Sequence, residues 1–225
     1  MAATTLSDGP RSAPVSPALE ARVLDAAVAC VQRWGVAKTT LDDVAREAGC
    51  SRASVYRAFP GGKELLLEAA GRKEVGALLD RLADALDTGR DLTDTVTRGL
   101  VAAVTEVRSH PVLQYLVEHE PGVVLPHVSF DGLDPLLALA TDFLAPYLAR
   151  FVPERDAREL AEVLVRLVVS HAFEPSPYVD LTDPGDARRF VVTYVLAGVS
   201  APEVIDLAGS AGPIKPQPTS PSTNR

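Results

Sequence analysis

Cysteine, histidine and aromatic residues are scarce in this chain. Its 225 residues include two cysteines, four histidines, one tryptophan and only 5% aromatics. Cys30 and Cys50 offer neither a metal-ligand spacing nor a disulfide framework, and read as small core residues of a reduced, cytoplasmic protein. The histidines (His110, His119, His127 and His171) stand in no zinc-binding pattern, and no HExxH occurs. No metal and no cofactor is therefore expected. The strained serine turn G-x-S-x-G is absent as well. Gly61-Gly62-Lys63-Glu64 resembles the end of a phosphate-binding loop, but the earlier glycine and the following Ser or Thr are missing. Nothing assembles a catalytic constellation, and an enzyme is not expected. No apolar run approaches the ~18 residues of a membrane span, so no membrane partner is expected. The opening MAATTLSDGPRSAPVSP lacks the apolar stretch of a signal peptide.

What is present is a large apolar fraction, 47%, with a net charge of −8. The charge is unevenly placed. Residues 17–75 hold nine Lys/Arg and eight Asp/Glu, whereas residues 76–225 hold twelve against twenty-one. A near-neutral head on an acidic body suits contact with phosphates at one end only. Residues 1–15 and 211–225 are rich in Pro, Ser, Thr and Gly and are expected to be disordered extensions.

Helix signals fill the rest, with no alternation of strands and helices. Ser16-Pro17, Asp134-Pro135 and Asp183-Pro184 each pair a capping residue with a first-position proline. Leu19, Val23, Ala26, Ala27, Cys30 and Trp34 share one face of a helix closed by Gly35. The pattern predicts an all-α chain of about nine helices, at 17–35, 41–48, 52–59, 63–88, 91–109, 111–119, 134–151, 154–173 and 186–208.

The stretch TTLDDVAREAGCSRASVYRAFPGGKELLLEA, residues 39–69, is the most informative. Thr40 is placed to cap a helix whose first turn carries Asp42 and Asp43. Leu41, Val44, Ala45 and Ala48 form its apolar face, Gly49 supplies a left-handed turn residue, and Ser51 caps the next helix, which buries Val55 and Phe59. A small residue at 45, a glycine at 49 and a β-branched residue at 55 fit the close crossing of a helix-turn-helix.

These residues, with Val55-Tyr56-Arg57-Ala58-Phe59 and Lys63-Glu64-Leu65, resemble the DNA-binding domain of TetR-family repressors over residues 17–70. Cys50 stands where Val is usual, and Pro60-Gly61-Gly62 makes the step to Lys63 one residue longer than in many members. The resemblance implies a three-helix reading domain at 16–62 (motif 41–60), followed by a helical ligand-binding and dimerisation domain at 63–210. The second helix of the motif would enter the major groove. Its outward residues are Arg52, placed to read guanine, then Ser54, Tyr56 and Arg57; Thr39, Thr40, Ser51 and Lys63 are placed for phosphates. The blander reading makes the arginines solvated charges, the hydroxyls mere caps and Tyr56 a packing residue.

The resemblance further implies a homodimer through helices 154–173 and 186–208, an inverted-repeat operator in double-stranded DNA, and a small-molecule effector. The apolar body favours a hydrophobic or amphipathic effector. Gln114, Tyr115, His119, Tyr147, Arg166 and His171 are the polar candidates to orient it. Against that, Arg166 is spaced to pair with Glu162, and His171 suits a helix C-terminus. The competing function is a helical ligand-binding or scaffold protein that has lost DNA binding.

Overall fold

A computed structural model describes residues 16–128 and 133–198, which hold ten α-helices and no strand. In chain order they are α1 (Pro17–Lys38), α2 (Leu41–Glu47), α3 (Arg52–Ala58), α4 (Gly62–Asp87), α5 (Leu92–Ser109), α6 (Pro111–His119), α7 (Pro121–Val128), α8 (Leu133–Leu148), α9 (Glu154–Phe173) and α10 (Pro184–Phe190). A π-helical turn, Val191–Val195, follows α10. The two expected disordered extensions lie outside the described residues.

Two hydrophobic cores organise the chain. The first joins Val23, Ala27 and Cys30 of α1 to Val44 and Ala45 of α2 and Val55 of α3, and extends into α4 through Leu66 and Ala70. Burial of its thiol pushes the pKa of Cys30 up, so it behaves as an apolar side chain. The second gathers Val96, Leu100 and Val104 of α5, Ala145 and Leu148 of α8, and Ala157, Leu160, Ala161 and Leu164 of α9, closed by Leu181, Ala187 and Val191. On α9 the buried positions recur at three- and four-residue steps, while Arg155–Glu159 and Arg166–Glu162 pairs occupy the outer face. The first-turn acids Glu154 and Asp156 suit the positive end of that helix.

Several expectations about the helices are corrected. Gly35 breaks α1 with φ 83°, but one further helical turn follows it to Lys38. α7 is not among the nine expected helices. Its PGVVLPHV sequence is poor in helix formers, yet Pro121 sits at the first position, where a missing N–H costs least. The helix expected at 186–208 is short: α10 stops at Phe190 and the β-branched run Val191-Val192-Thr193 continues with wider π-type hydrogen bonding, Leu196 N–H donating to Val191 O. Residues 199–208 of that expectation lie outside the described chain. Asp183 caps α10 by accepting from Asp186 N–H at 2.8 Å, as its sequence implies, whereas Asp134 falls inside the first turn of α8 rather than ahead of it.

α4 has 26 residues, about 39 Å at 1.5 Å per residue, and reaches from the first core towards the second. Its far end is held by Arg150, which donates to Leu86 O at 2.8 Å and packs against the rings of Tyr147 and Phe151. Leu148, two residues before that arginine, is fully buried. Leu148→Ala is expected to cost about 2–5 kcal/mol of unfolding free energy in urea titration. A cost under about 1 kcal/mol would show that this part of the second core is not tightly packed.

Candidate nucleic-acid interface

The motif is built by local hydrogen bonds. Thr40 and Asp43 form a reciprocal capping box: the Thr40 hydroxyl oxygen accepts from Asp43 N–H at 3.2 Å, and Asp43 accepts from Thr40 N–H at 3.2 Å. Asp43 also accepts from the Thr40 hydroxyl at 2.6 Å and from Arg46 at 3.1 Å. The Thr40 hydroxyl first, then the Thr40 N–H and Arg46, hold the Asp43 carboxyl below the usual carboxylate range. Gly49, at φ 63°, turns the chain after α2, and Cys50 N–H closes the turn on Ala45 O at 3.0 Å. Arg22 of α1 clamps the same turn by donating to Ala48 O at 2.7 Å. Ser51 then caps α3 through Ser54 N–H at 3.1 Å.

With Val55 and Phe59 buried, α3 can present only its other face. Arg52, Tyr56 and Arg57 are exposed and Ser54 is partly so. These four expected residues therefore share one surface. Arg57 donates to Ser54 Oγ at 3.1 Å, and Ser51 Oγ lies 2.9 Å from Ser54 Oγ. Arg52 donates to Asp42 of α2 at 3.0 Å and to the Tyr56 hydroxyl at 3.3 Å, and lies 5.4 Å from the centre of the Tyr56 ring. Ser51 and Thr40 are exposed at the two helix starts on either side of the turn. Lys63, after the longer step, donates to Ala37 O at 3.2 Å while staying partly exposed.

Thr39 is a correction. It is 1% exposed, its hydroxyl donates to Gly35 O at 2.6 Å and its N–H to the same carbonyl at 3.2 Å. Both groups are spent inside the protein, so a phosphate cannot reach them. Its hydroxyl adds a second donor to the Gly35 carbonyl, which already accepts the backbone bond of the last helical turn.

Glu120, between α6 and α7, is a residue that sequence reasoning missed. Its carboxylate accepts from Val36 N–H at 2.7 Å and from Ala37 N–H at 3.2 Å, so the body holds the last turn of α1 directly. A Cβ on Gly35 would collide with that carboxylate. Asp42 and Arg22 were also not singled out as parts of the interface; their significance depends on contacts across elements.

The six effector candidates are dispersed. Gln114 is exposed on α6 and donates to Val107 O at 3.4 Å; Tyr115 and His119 stack on each other at 4.5 Å on the same helix. Tyr147 lies on α8 beside Phe143 and Arg150, its hydroxyl pKa raised by burial first and by Asp87 second. Arg166 lines an open groove between α8 and α9, bound to Glu162 at 2.7 Å. His171 lines a separate cleft with Arg108 and Asp180, its Nδ1 3.0 Å from Leu167 O. One pocket lined by all six is not what the fold builds: they occupy several sides of the helical body. Among the described residues no cluster of His, Cys, Asp and Glu is placed to hold a metal, and no helix is long and apolar enough to cross a membrane.

A capped helix, a glycine turn and a second helix with a basic exposed face define a helix-turn-helix domain of the kind that recognises DNA. Residues 23–70 of this chain match the family described as bacterial regulatory proteins, tetR family, so the chain carries a helix-turn-helix domain of the TetR type. It is 26% identical over 182 residues to an uncharacterized HTH-type transcriptional regulator of Mycobacterium tuberculosis, covering 79% of this chain and 92% of the relative. The fold resembles the crystal structure of the TetR family repressor AlkX from a Dietzia strain, implicated in biodegradation of n-alkanes (TM-score 0.58, 21% identity, 81% of this chain and 96% of that one). It also resembles the regulator FadR from Bacillus subtilis solved in complex with stearoyl-CoA (TM-score 0.53, 14% identity, 77% and 97%).

Two measurements follow from this geometry. Because folding lowers the Asp43 pKa, its contribution to stability is complete above the unfolded value of about 3.9 and is lost as pH falls through the lower folded value. An NMR titration should place the Asp43 midpoint below that of an ordinary aspartate, and Thr40→Val should return it towards the ordinary value; an unchanged midpoint in Thr40→Val would rule out the hydroxyl as the cause. Glu120→Ala should cost about 1–3 kcal/mol and accelerate hydrogen exchange at Val36 and Ala37, since it strips acceptors from both N–H groups. Unaltered exchange at both amides would show that Glu120 does not hold the joint.

Proposed function

We propose that this chain is a sequence-specific DNA-binding repressor, released from an inverted-repeat operator by a small hydrophobic or amphipathic effector. The observation that carries the DNA half is the single exposed face of α3, bearing Arg52, Ser54, Tyr56 and Arg57 on a helix fixed by Val55 and Phe59. A helix of this kind fits the major groove, and an arginine at its start can meet the O6 and N7 of guanine. Thr40, Ser51 and Lys63 are assigned to phosphates. The Lys63 ammonium uses one donor on Ala37 O and keeps others free for an anion.

The reading unit is assigned to residues 16–62, with core support from the first turns of α4, and the ligand-binding and dimerisation unit to 63–210. Dimerisation is supported by exposed apolar side chains on α9 and beyond α10: Val163 is 51% exposed, Val192 51% and Tyr194 74%. A two-fold axis through this surface sets the two reading heads against two half-sites. The apolar character of the body supports an apolar effector. The n-alkane connection of AlkX and the stearoyl-CoA bound by FadR favour a compound with a long aliphatic chain. Of the six polar residues, Tyr115 and Tyr147 are the half-buried aromatic candidates for its polar end.

Selection of duplexes from a random-sequence library tests the DNA reading and yields the preferred site in the same step. The full chain should enrich an inverted repeat, and Arg52→Ala should weaken binding to it by about 1–3 kcal/mol while relaxing the preferred sequence. Lys63→Ala should weaken enriched and scrambled duplexes alike and flatten the salt dependence. Enrichment of no sequence would leave the alternative of a ligand-binding or scaffold protein. Light scattering should give about twice the 23.8 kDa chain mass; a monomer in solution would move dimerisation onto the DNA.

A further inference from the structure

Arg52 and Arg57 share the exposed face of α3, but their surroundings differ. Among the described residues, Arg57 bonds to Ser54 of its own helix. Arg52 is held from outside it. Asp42, on the first turn of α2, reaches across the turn to the Arg52 guanidinium at 3.0 Å, and Tyr56 supports the same group with its hydroxyl at 3.3 Å and its ring at 5.4 Å. The Asp42 side chain is 54% exposed and that of Arg52 56% exposed. An ion pair so open to water adds little to folding stability, and the place of Asp42 in the first turn of α2 gives a modest interaction with the helix dipole, but neither requires its carboxylate to reach Arg52 on a surface assigned to DNA. Asp43, its neighbour, is accounted for by the capping box; Asp42 has no bond there.

We propose that Asp42 sets the stringency of sequence recognition by buttressing Arg52. The inference rests on the reading of α3 as the recognition helix. An unrestrained arginine at the start of a helix can swing to the nearest phosphate, a contact available on any sequence. Pinned between Asp42 and Tyr56, the Arg52 guanidinium is kept on the groove side, and these two bonds leave further N–H donors free for a base edge. Its side-chain freedom is reduced before DNA arrives, so less is lost on forming a two-point contact. The carboxylate contributes a second effect. Away from the correct base, Asp42 faces phosphates that repel it and offers nothing in return. With the correct guanine engaged, its charge is matched by Arg52 in a site from which water is excluded, where the pair is strengthened. Asp42 thus penalises wrong sequences more than the right one, which is what discrimination requires.

The test uses the full chain and two fluorescent duplexes: the sequence enriched by the wild-type protein and a scrambled version. Asp42→Asn removes the charge and keeps the size. At about 0.1 M salt it should bind the scrambled duplex about three- to tenfold more tightly and lower the enriched-to-scrambled affinity ratio about tenfold. Asp42→Glu, which can still reach Arg52, should keep that ratio within about threefold of wild type. In an Arg52→Ala background, Asp42→Asn should leave the ratio unchanged, because the residue it acts through is gone. Circular dichroism should match wild type, with melting lowered only slightly by the loss of a first-turn charge. An Asp42→Asn ratio equal to wild type overturns the proposal, and so does an equal loss of ratio in the Arg52→Ala background. Failure of the wild-type chain to enrich any duplex overturns the reading of α3 itself, an outcome distinct from both.

Discussion

The joint at Gly35 is where the last turn of α1 is tied to the α6–α7 junction. A left-handed glycine interrupts α1, and the carbonyl of that glycine and the two amides after it sit at the break. Each is claimed from a different direction. Thr39 closes the Gly35 carbonyl from the same segment, and Glu120 takes the Val36 and Ala37 amides from the α6–α7 junction. Lys63 takes the Ala37 carbonyl from the start of α4. The next residue after Thr39 is Thr40, the cap of α2. The position of the reading helices is therefore fixed by the same few atoms that fix α1 on the body.

This arrangement gives α4 two anchored ends. Its first residues are bound to the joint through Lys63, and the Leu86 carbonyl near its end to Arg150, which lies against the rings of Tyr147 and Phe151. A rigid helix held at both ends transmits displacement rather than absorbing it. A ligand that shifted α4 or α6 would act on one set of hydrogen bonds, those around residues 35–39, before it acted on α3. Only a ligand that binds one arrangement of that joint better than another can change DNA affinity, whatever its total affinity.

The reading head was legible in the sequence because its geometry is local. Gly49, Ser51 and Val55 lie within one turn and two short helices, and each is dictated by a near neighbour: a left-handed turn, a free N–H, a close helix crossing. The joint was not legible for the opposite reason. Glu120 is 84 residues from Val36 in sequence, and a lone glutamate beside a proline carries no sign of where its carboxylate goes. Thr39 was misread because a threonine ahead of a helix looks like a phosphate ligand until the Gly35 carbonyl, four residues back, is seen to claim it. Helix ends went astray where β-branched or proline-rich runs met tertiary contacts, as at α7 and Val191–Val195. The effector residues could not be grouped at all. Polar side chains on apolar helices have the same periodicity whether they line a cavity or cover the outside, and Arg166 with its Glu162 partner lines an open groove between α8 and α9, apart from the other five.

In the proposed function, DNA meets this protein at the exposed face of α3 and the two helix starts beside it. Hydrogen exchange of the full chain, measured with the enriched duplex, with a scrambled duplex and alone, tests it most directly. Strong protection should appear over residues 40–57 with the enriched duplex and be much weaker with the scrambled one, leaving α8 and α9 as they are in the free protein. Protection centred on α8 and α9, with α3 exchanging as in the free chain, would contradict it.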